Sequence, residues 1–274
     1  MGKPKIGAST LAFLFDPFEK LPAELSRFPT KHVELIDDGL HELNSERVRL
    51  LKAVAKTNGL TYYVHAPFVE ANIAPISNYF LKPVMERLKR SLFYASQLEA
   101  KVWVFHPGVA PSIGDPTATN FYYRLAWKRN VESVRSILKL AEDMSVNAAM
   151  ENCCYRRLVK TVEETKQFLE EVGTEVKLVF DAAHANLYGD PNLYFNLFKR
   201  QIVHMHACDN HGTVDEHGDI GNGNINWEAL AKSVEDSGFD GAIICESLGN
   251  LQKNVEALKT MFDFRPKRMK LGSR

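Results

Sequence analysis

Short apolar runs rich in β-branched residues alternate with longer amphipathic segments from one end of the chain to the other. The short runs predict strands at Ile6–Ser9, His32–Ile36, Tyr62–His65, Val102–His106, Asn147–Glu151, Lys177–Asp181, Ile202–His206 and Ala242–Glu246. The segments between them carry apolar residues at helical spacing and predict helices at Phe18–Arg27, Glu46–Asn58, Lys82–Leu98, Phe121–Met144, Val162–Val172, Asn192–Lys199, Trp227–Ser237 and Val255–Phe262.

Eight strand–helix pairs in succession predict one α/β domain, a (β/α)₈ TIM barrel over residues 1–274. Stop signals support several helix ends: Gly59 follows the second predicted helix, and Asn226 stands where a side chain would cap the start of the seventh. No linker or low-complexity segment divides the chain. Residues 265–274 are rich in lysine and arginine and are predicted to form a basic tail.

Composition argues against several classes of function, although a local basic patch would be enough for a nucleic-acid role. Lys+Arg and Asp+Glu each number 34, so the formal net charge is zero and no global field attracts nucleic acid or anionic membrane. We expect no secretory signal and no membrane partner, because the N-terminal residues lack an apolar run and no apolar stretch is long enough to span a bilayer. The four cysteines have neither zinc-ribbon spacing nor a disulfide framework, which favours a cytoplasmic protein.

Residues that commonly bind metals end six of the predicted strands in succession: His65, His106, Glu151, Asp181, His206 and Glu246. Three more follow close behind, His184 in Asp181-x-x-His184 and the pair Asp215-x-His217. In a TIM barrel the C-terminal ends of the strands face the active site. Burying so many ionisable groups together is costly unless a cation pairs the carboxylates. The sequence therefore predicts a metal centre at this rim.

Between Thr61 and Glu246 the chain resembles the endonuclease IV group of the xylose isomerase-like TIM barrels. The resemblance rests on His65-Ala-Pro, His106-Pro-Gly, Glu151-Asn, Asp181-x-x-His184, Met205-His206, Asp215-x-His217, Gly221-x-Gly223-Asn224-Ile225 and Glu246. It implies a metal-dependent phosphodiester hydrolase that holds up to three zinc ions and cleaves abasic-site DNA during DNA repair.

The resemblance also implies how the ligands divide. His65 and His106 would hold one ion, and Glu151 would bridge from it to the next. Asp181, His206 and Glu246 would complete the coordination of the second ion. His184, Asp215 and His217 would hold the third ion. Glu246, with Glu151, would carry the catalysis by positioning or deprotonating a metal-bound water. Phe68 and Glu34 are predicted as substrate contacts.

The segment after the second strand departs from that group, because its DNA-reading loop is replaced by Val33-Glu34-Leu35-Ile36-Asp37-Asp38. This stretch is similar to the sugar isomerases and epimerases of the same superfamily, and two aspartates there would repel a phosphate backbone. The alternative is therefore a sugar isomerase or epimerase acting on a small sugar or sugar phosphate. A single manganese-like or other divalent ion would sit on Glu151, Asp181, His206 and Glu246 while the two glutamates move protons. A non-enzymatic metal-binding scaffold is the third class.

That alternative has no required role for His65, His106, Asp215 or His217, so the sequence favours the hydrolase. Other residues admit two interpretations. Cys153, Cys154 and Cys208 lie near strand ends and are either soft metal ligands or small buried apolar groups. His204 alternates with His206 and is the second choice for the same ligand position, whereas Cys245 should point away from the barrel axis.

Overall fold

A closed barrel of parallel strands, paired in the order β1 to β8, forms the centre of the computed structural model, which describes residues 3–173 and 175–263. The strands are β1 Lys5–Ser9, β2 His32–Ile36, β3 Thr61–His65, β4 Trp103–Phe105, β5 Ala148–Glu151, β6 Leu178–Asp181, β7 Ile202–Ala207 and β8 Ala242–Cys245. Strand β8 pairs with β1 and closes the barrel. The predicted TIM-barrel fold is confirmed, and the basic tail expected at 265–274 lies outside the described residues.

The helices follow the strands around the outside of the barrel. They are α1 Leu21–Ser26, α2 Ser45–Asn58, α3 Asn78–Gln97, α4 Pro116–Asp143, α5 Val162–Val172, α6 Ala182–Asn186, α7 Pro191–Phe198, α8 Trp227–Ser237 and α9 Leu251–Met261, with 3-10 turns at Thr10–Phe13, Phe18–Lys20 and Gly39–His41. The Asn226 cap is confirmed, because its side chain accepts a hydrogen bond from Ala229 N at 3.1 Å. Gly59 ends α2 with a φ of 65°, a left-handed conformation that glycine adopts without strain. Helix α6 was not predicted.

Alternation along the strands separates two apolar clusters. The smaller one fills the barrel interior and consists of Tyr63, Val102, Val104, Ala149, Val179, Ala242 and Ile244. The larger one lies between sheet and helices and includes Trp103, Met205 and Cys245, so Cys245 does point away from the axis. Inward positions of β2 and β7 are taken instead by Glu34, His204 and His206, all fully buried. A polar layer therefore sits inside the barrel.

Among the described residues, no helix combines the length and apolar character needed to cross a membrane.

Candidate metal centre

Four side chains from successive strands converge at the C-terminal rim, each offering a ligand atom within 4.8 Å of the others: Glu151, Asp181, His206 and Glu246. Nδ1 of His206 lies at their centre, 3.2 Å from Glu151 Oε1, 3.5 Å from Glu246 Oε2 and 4.0 Å from Asp181 Oδ2. All four residues are buried. We name these residues the carboxylate centre.

The carboxylate centre suits a divalent cation. Burial, followed by the charges of Glu151 and Glu34, raises the pKa of Glu246 to about 7, against the lowering effect of His206. Burial also raises the pKa of Asp181, and Asp181 Oδ2 has no hydrogen-bond partner among the described residues. Three buried carboxylates and one imidazole are a ligand set that manganese or a similar divalent ion accepts. A bound cation would relieve the repulsion that these shifts report.

Glu151 belongs to the carboxylate centre and also contacts two further histidines, His65 and His106. Its Oε2 is 2.9 Å from His106 Nε2 and 3.4 Å from His65 Nε2, while its Oε1 faces His206. His65 donates its Nδ1 proton to Ala66 O at 2.8 Å, which turns Nε2 toward the glutamate. Burial alone would lower the pKa of His65, but the contact with Glu151 raises it. Burial lowers the pKa of His106 to about 3, so this ring is neutral at pH 7. The geometry therefore matches the bridging position that the resemblance implies for Glu151, whose role remains a prediction.

A third group gathers on Asp215, whose Oδ2 lies 3.3 Å from His184 Nε2 and 3.2 Å from His217 Nε2. Burial alone would lower the pKa of His217, but the contact with Asp215 raises it to about 9. Burial alone would raise the pKa of Asp215, but hydrogen bonds from the two imidazoles outweigh this effect and lower the pKa below its usual value. Without a metal ion, protons must supply the positive charge that holds these three groups together.

The local backbone sets the position of His184 and His217. Asp181 caps the short helix α6 by accepting from His184 N at 2.6 Å, which fixes the turn that brings His184 to the rim. His217 adopts a φ of 47°, unusual for a residue with a side chain, and its Nδ1 lies 3.0 Å from Glu246 O. The structure thus places all nine expected metal ligands at one rim of the barrel.

Asp209 and His211 belong to residue types that bind metals, but they make contacts within the loop between β7 and α8 instead. Asp209 is fully buried, and its Oδ2 accepts from Gly221 N and Trp227 Nε1, both at 2.8 Å. A Cβ on Gly223 would lie 2.2 Å from Asp209 Oδ1, so the loop can close around the carboxylate only with glycine there. His211 is exposed and pairs with Glu216. Asp209 therefore organises the loop between β7 and α8, which carries two of the expected ligands.

Glu34, which the sequence predicts as a substrate contact, lies below the pocket at the rim, and that role stays a prediction. Its side chain is fully buried, and it does not line the pocket at the rim. Its Oε2 lies 2.8 Å from His204 Nε2, and its Oε1 lies 3.0 Å from His206 Nε2. This position has a topological reason: Glu34 points into the barrel below the rim and contacts β7 from across the interior. His204 contacts Glu34 and lies outside the carboxylate centre, so His206 stays the predicted ligand from β7.

Phe68 does reach the pocket, where its ring centroid lies 5.2 Å from that of His65. Asp38 holds it there, because Asp38 Oδ2 accepts from the backbone N–H groups of Phe68 and Val69, both at 2.8 Å. The neighbouring Asp37 cannot repel a phosphate backbone, since it is fully buried and paired with Arg87. The expected repulsion between this segment and a DNA backbone therefore does not come from Asp37.

The pocket above these residues has a volume of about 220 Å³. Its walls include Leu11, Tyr155 and Arg157, none of which was predicted as a site residue. Tyr155 stands on the loop after β5, and its hydroxyl oxygen accepts from Asp215 N at 2.6 Å. No spacing pattern in the sequence marks these three residues, because Leu11 lies in the short 3-10 turn after β1 and the other two lie in the irregular loop after β5.

Comparison with known proteins assigns the family. Residues 23–263 match the model of the family described as the xylose isomerase-like TIM barrel. A D-psicose 3-epimerase of Ruminiclostridium cellulolyticum is 25% identical over 214 residues, covering 73% of this chain and 68% of that protein. An uncharacterized protein of Methanocaldococcus jannaschii is 27% identical over 263 residues, covering 93% of this chain and 88% of its relative. A solved D-tagatose 3-epimerase-like protein is 26% identical, with a TM-score of 0.85 over 94% of this chain and 96% of that one. The chain belongs to the xylose isomerase-like TIM barrel family.

Proposed function

We propose that the chain is a metal-dependent epimerase or isomerase of a small sugar, and that it acts on a carbon next to a ketone. The observation that carries the proposal is the carboxylate centre, in which two glutamates from β5 and the end of β8 converge with Asp181 and His206 beneath a small pocket. Relatives named as sugar 3-epimerases support it over the hydrolase that the sequence favoured.

In the proposed chemistry, different side chains bind the metal, transfer protons and position the catalytic carboxylate. A divalent ion held by the four residues of the carboxylate centre would polarise the carbonyl and hydroxyl oxygens of a ketose. One of the two glutamates, Glu151 or Glu246, would take a proton from the carbon next to the carbonyl. Return of a proton by the other glutamate to the opposite face of that carbon would invert it, whereas return to the former carbonyl carbon would move the carbonyl. His106, neutral and 2.9 Å from Glu151 Oε2, would hold that carboxylate in position by donating a hydrogen bond.

Pocket size favours a small substrate. The volume of about 220 Å³ is below the roughly 300–1,000 Å³ of pockets that enclose drug-sized ligands. Phe68 and Leu11 contribute apolar walls, and Arg157 contributes a cation whose Nη2 also donates to Phe68 O at 2.8 Å. Such a lining suits a monosaccharide or its phosphate.

A phosphodiester hydrolase with three zinc ions stays the second candidate, because one observation favours it. Beyond the carboxylate centre, the remaining five expected ligands lie at the same rim: His65, His106, His184, Asp215 and His217. A single-ion epimerase does not require five further ligands. The two functions differ in substrate and in the number of ions needed, so one paired assay separates them.

The experiment incubates the manganese-loaded protein with a panel of ketohexoses in deuterium oxide and, separately, the zinc-loaded protein with a duplex containing one abasic site. We expect ketose interconversion with deuterium entering the carbon next to the carbonyl, as nuclear magnetic resonance would show. His217→Ala should keep most of this turnover because His217 lies outside the carboxylate centre. Duplex cleavage without any deuterium incorporation, and lost in His217→Ala, would establish the hydrolase instead.

A further inference from the structure

Arg157 places a permanent positive charge on the wall of the pocket without a carboxylate to neutralise it. Its Nη2 donates to Phe68 O at 2.8 Å and its Nη1 donates to Pro107 O at 3.2 Å, and both acceptors are backbone carbonyls. Among the residues that the structure describes, no carboxylate forms an ion pair with this guanidinium. Arg87, by contrast, pairs with Asp37 at 2.7 Å. The charge of Arg157 is therefore available to a ligand in the pocket.

The backbone around Arg157 is fixed by the neighbouring loop. Arg157 forms an antiparallel bridge with Val109, which lies in the loop after β4. The next residue continues this pairing, because Leu158 N donates to Gly108 O at 2.8 Å. The side chain is held as well, by its two bonds to carbonyls. A cation that is fixed before its ligand arrives loses little conformational entropy on binding.

The guanidinium of Arg157 still has donors for an anion. Arginine carries five N–H donors in a planar fork, and two of them account for the bonds to Phe68 O and Pro107 O, which leaves three. A phosphate monoester offers three acceptor oxygens and a charge of about −1.5 to −2 at pH 7. Arginine binds such groups through paired, charge-assisted hydrogen bonds. A phosphate therefore matches Arg157 both in charge and in the number of hydrogen bonds.

We propose that Arg157 binds a phosphate group of the substrate, so that the molecule turned over is a phosphorylated ketose. The ketose part of this inference rests on the proposed function, whereas the phosphate part rests on Arg157. The relatives compared above are named for D-psicose and D-tagatose, which are sugars without a phosphate. Arg157 would bind the phosphate on the side of the pocket where the rings of Phe68 and His106 lie 5.6 Å apart. It is a specificity residue for the proposed reaction.

Arg156 provides a matched control, because it precedes Arg157 directly and does not line the pocket. It is exposed, and its Nη2 donates to Ala110 O at 3.4 Å, a carbonyl of the same loop after β4. Arg157→Gln and Arg156→Gln therefore remove the same charge from adjacent positions, of which only one reaches the pocket. Arg157→Lys is the third variant, and it keeps the charge while it loses the planar fork.

Binding of sugar alcohols tests the arginine without turnover, because D-glucitol and D-glucitol 6-phosphate have no carbonyl. Calorimetric titration of the manganese-loaded protein compares the affinities of these two ligands, and circular dichroism checks that each variant is folded. We expect the phosphate to strengthen binding about 10–100-fold in wild type and in Arg156→Gln. This gain should be lost in Arg157→Gln and partly kept in Arg157→Lys.

Several results of the titration would overturn the proposal. Equal affinities of the two ligands in wild type would show that the pocket does not recognise phosphate. A gain that survives Arg157→Gln would show that the phosphate binds elsewhere, for example to the metal ion, and an equal loss in Arg156→Gln would indicate a general attraction to positive charge. D-Gluconate carries a carboxylate in place of the phosphate, and its binding as tightly as D-glucitol 6-phosphate would replace phosphate by carboxylate as the recognised group.

Arginine modification of the wild-type protein gives a second test that needs no variant. Phenylglyoxal reacts with arginine side chains, and tandem mass spectrometry reads Arg156 and Arg157 separately. D-Glucitol 6-phosphate at ten times its dissociation constant should slow modification of Arg157 about tenfold relative to the free protein. Arg156 should react at an unchanged rate. Modification of Arg157 at the same rate with and without the phosphate would contradict the proposal.

Deuterium exchange distinguishes a failure of this proposal from a failure of the proposed function. The manganese-loaded protein is incubated in deuterium oxide with D-fructose and with D-fructose 6-phosphate. We expect a higher kcat/KM for exchange into the phosphate, and loss of that advantage in Arg157→Gln. If neither ketose exchanges although D-glucitol 6-phosphate binds through Arg157, the proposed function is wrong and the phosphate site stands. If both ketoses exchange equally and both sugar alcohols bind equally, the phosphate site is wrong and the proposed function stands.

Discussion

Glu34 Oε1 lies 3.0 Å from His206 Nε2, on the opposite side of the imidazole from the carboxylate centre. The two residues come from β2 and β7, which are not adjacent strands, so the contact crosses the barrel interior. His204 completes the arrangement at 2.8 Å from Glu34 Oε2. A carboxylate behind a ligating histidine fixes the ring and makes its other nitrogen a better ligand. We regard Glu34 as a positioning residue for His206.

Glu34→Gln should weaken divalent-metal binding at the carboxylate centre about 10–100-fold, the usual loss when such a partner is removed. Calorimetric titration with Mn²⁺ measures it, and Glu42→Gln at an exposed ion pair serves as the control. If Glu34→Gln lowers only the unfolding midpoint of the metal-free protein and leaves metal affinity intact, Glu34 has a structural role alone.

Glu151 and Glu246 should respond differently to loss of charge. Glu151 contacts His106 as well as His206, so Glu151→Gln should lower bound metal at more than one position. Glu246→Gln should reduce ketose turnover about 10²–10⁴-fold, the contribution typical of an acid–base residue. Metal analysis and turnover are measured on both, with Glu216→Gln on the exposed surface of the rim as control. Full metal stoichiometry in Glu151→Gln would show that it does not bridge.

A buried ion pair under the rim should matter for stability. Arg87 donates to both carboxylate oxygens of Asp37, at 2.7 and 3.0 Å, and Asp37 is fully buried. Removing one partner leaves an uncompensated buried charge, so Arg87→Met should reduce the free energy of unfolding by about 3–5 kcal/mol. Arg90 lies on the same helix as Arg87 and forms an exposed ion pair with Glu42, so Arg90→Met should reduce the free energy of unfolding by only about 0–1 kcal/mol. Urea unfolding distinguishes them, and equal losses would be inconsistent with this account.

Gly223 should not tolerate a side chain. The added methyl of Gly223→Ala would meet Asn210 O and Asp209 Oδ1, each at 2.2 Å, so the backbone must shift. We expect a loss of about 1–3 kcal/mol, the usual range for overpacking, together with weaker zinc binding by Asp215 and His217, which the same loop carries. Thermal unfolding and zinc titration measure the two effects. The adjacent exposed residue gives the control, Asn222→Ala, and matching behaviour of the pair would exclude a steric role for Gly223.

Periodicity predicted most of the fold because buried strands and helices impose it. Strand β2 and helices α5 and α8 have the predicted bounds. Helix α4 begins earlier than expected, since Asp115 caps it and Pro116 occupies its first turn. Helix α6 escaped prediction because five residues are too short to show a helical period.

The rim could be predicted because ligand-type residues end successive strands, whose C-terminal ends share one face. What the sequence could not supply was contact across the barrel. That Glu34 lies under His206 depends on how β2 and β7 are placed after closure, which no local pattern encodes. Cys154 likewise meets Asp215 only because two irregular loops converge. The sequence favoured the hydrolase, whereas the named relatives favour the sugar epimerase, because ligand types indicate metal chemistry and the pocket walls above them select the substrate.

The hydrogen bonds around Asp209 have a kinetic consequence. They hold the loop that carries Asp215 and His217 without using either side chain, so we expect its backbone to keep the same shape with and without an ion. A site shaped in advance captures its ion in one bimolecular step. Stopped-flow uptake of zinc should then rise linearly with zinc concentration, and a plateau would reveal a slow rearrangement before capture. Loss and recovery of zinc would thus track its free concentration rapidly, without cycles of loop unfolding.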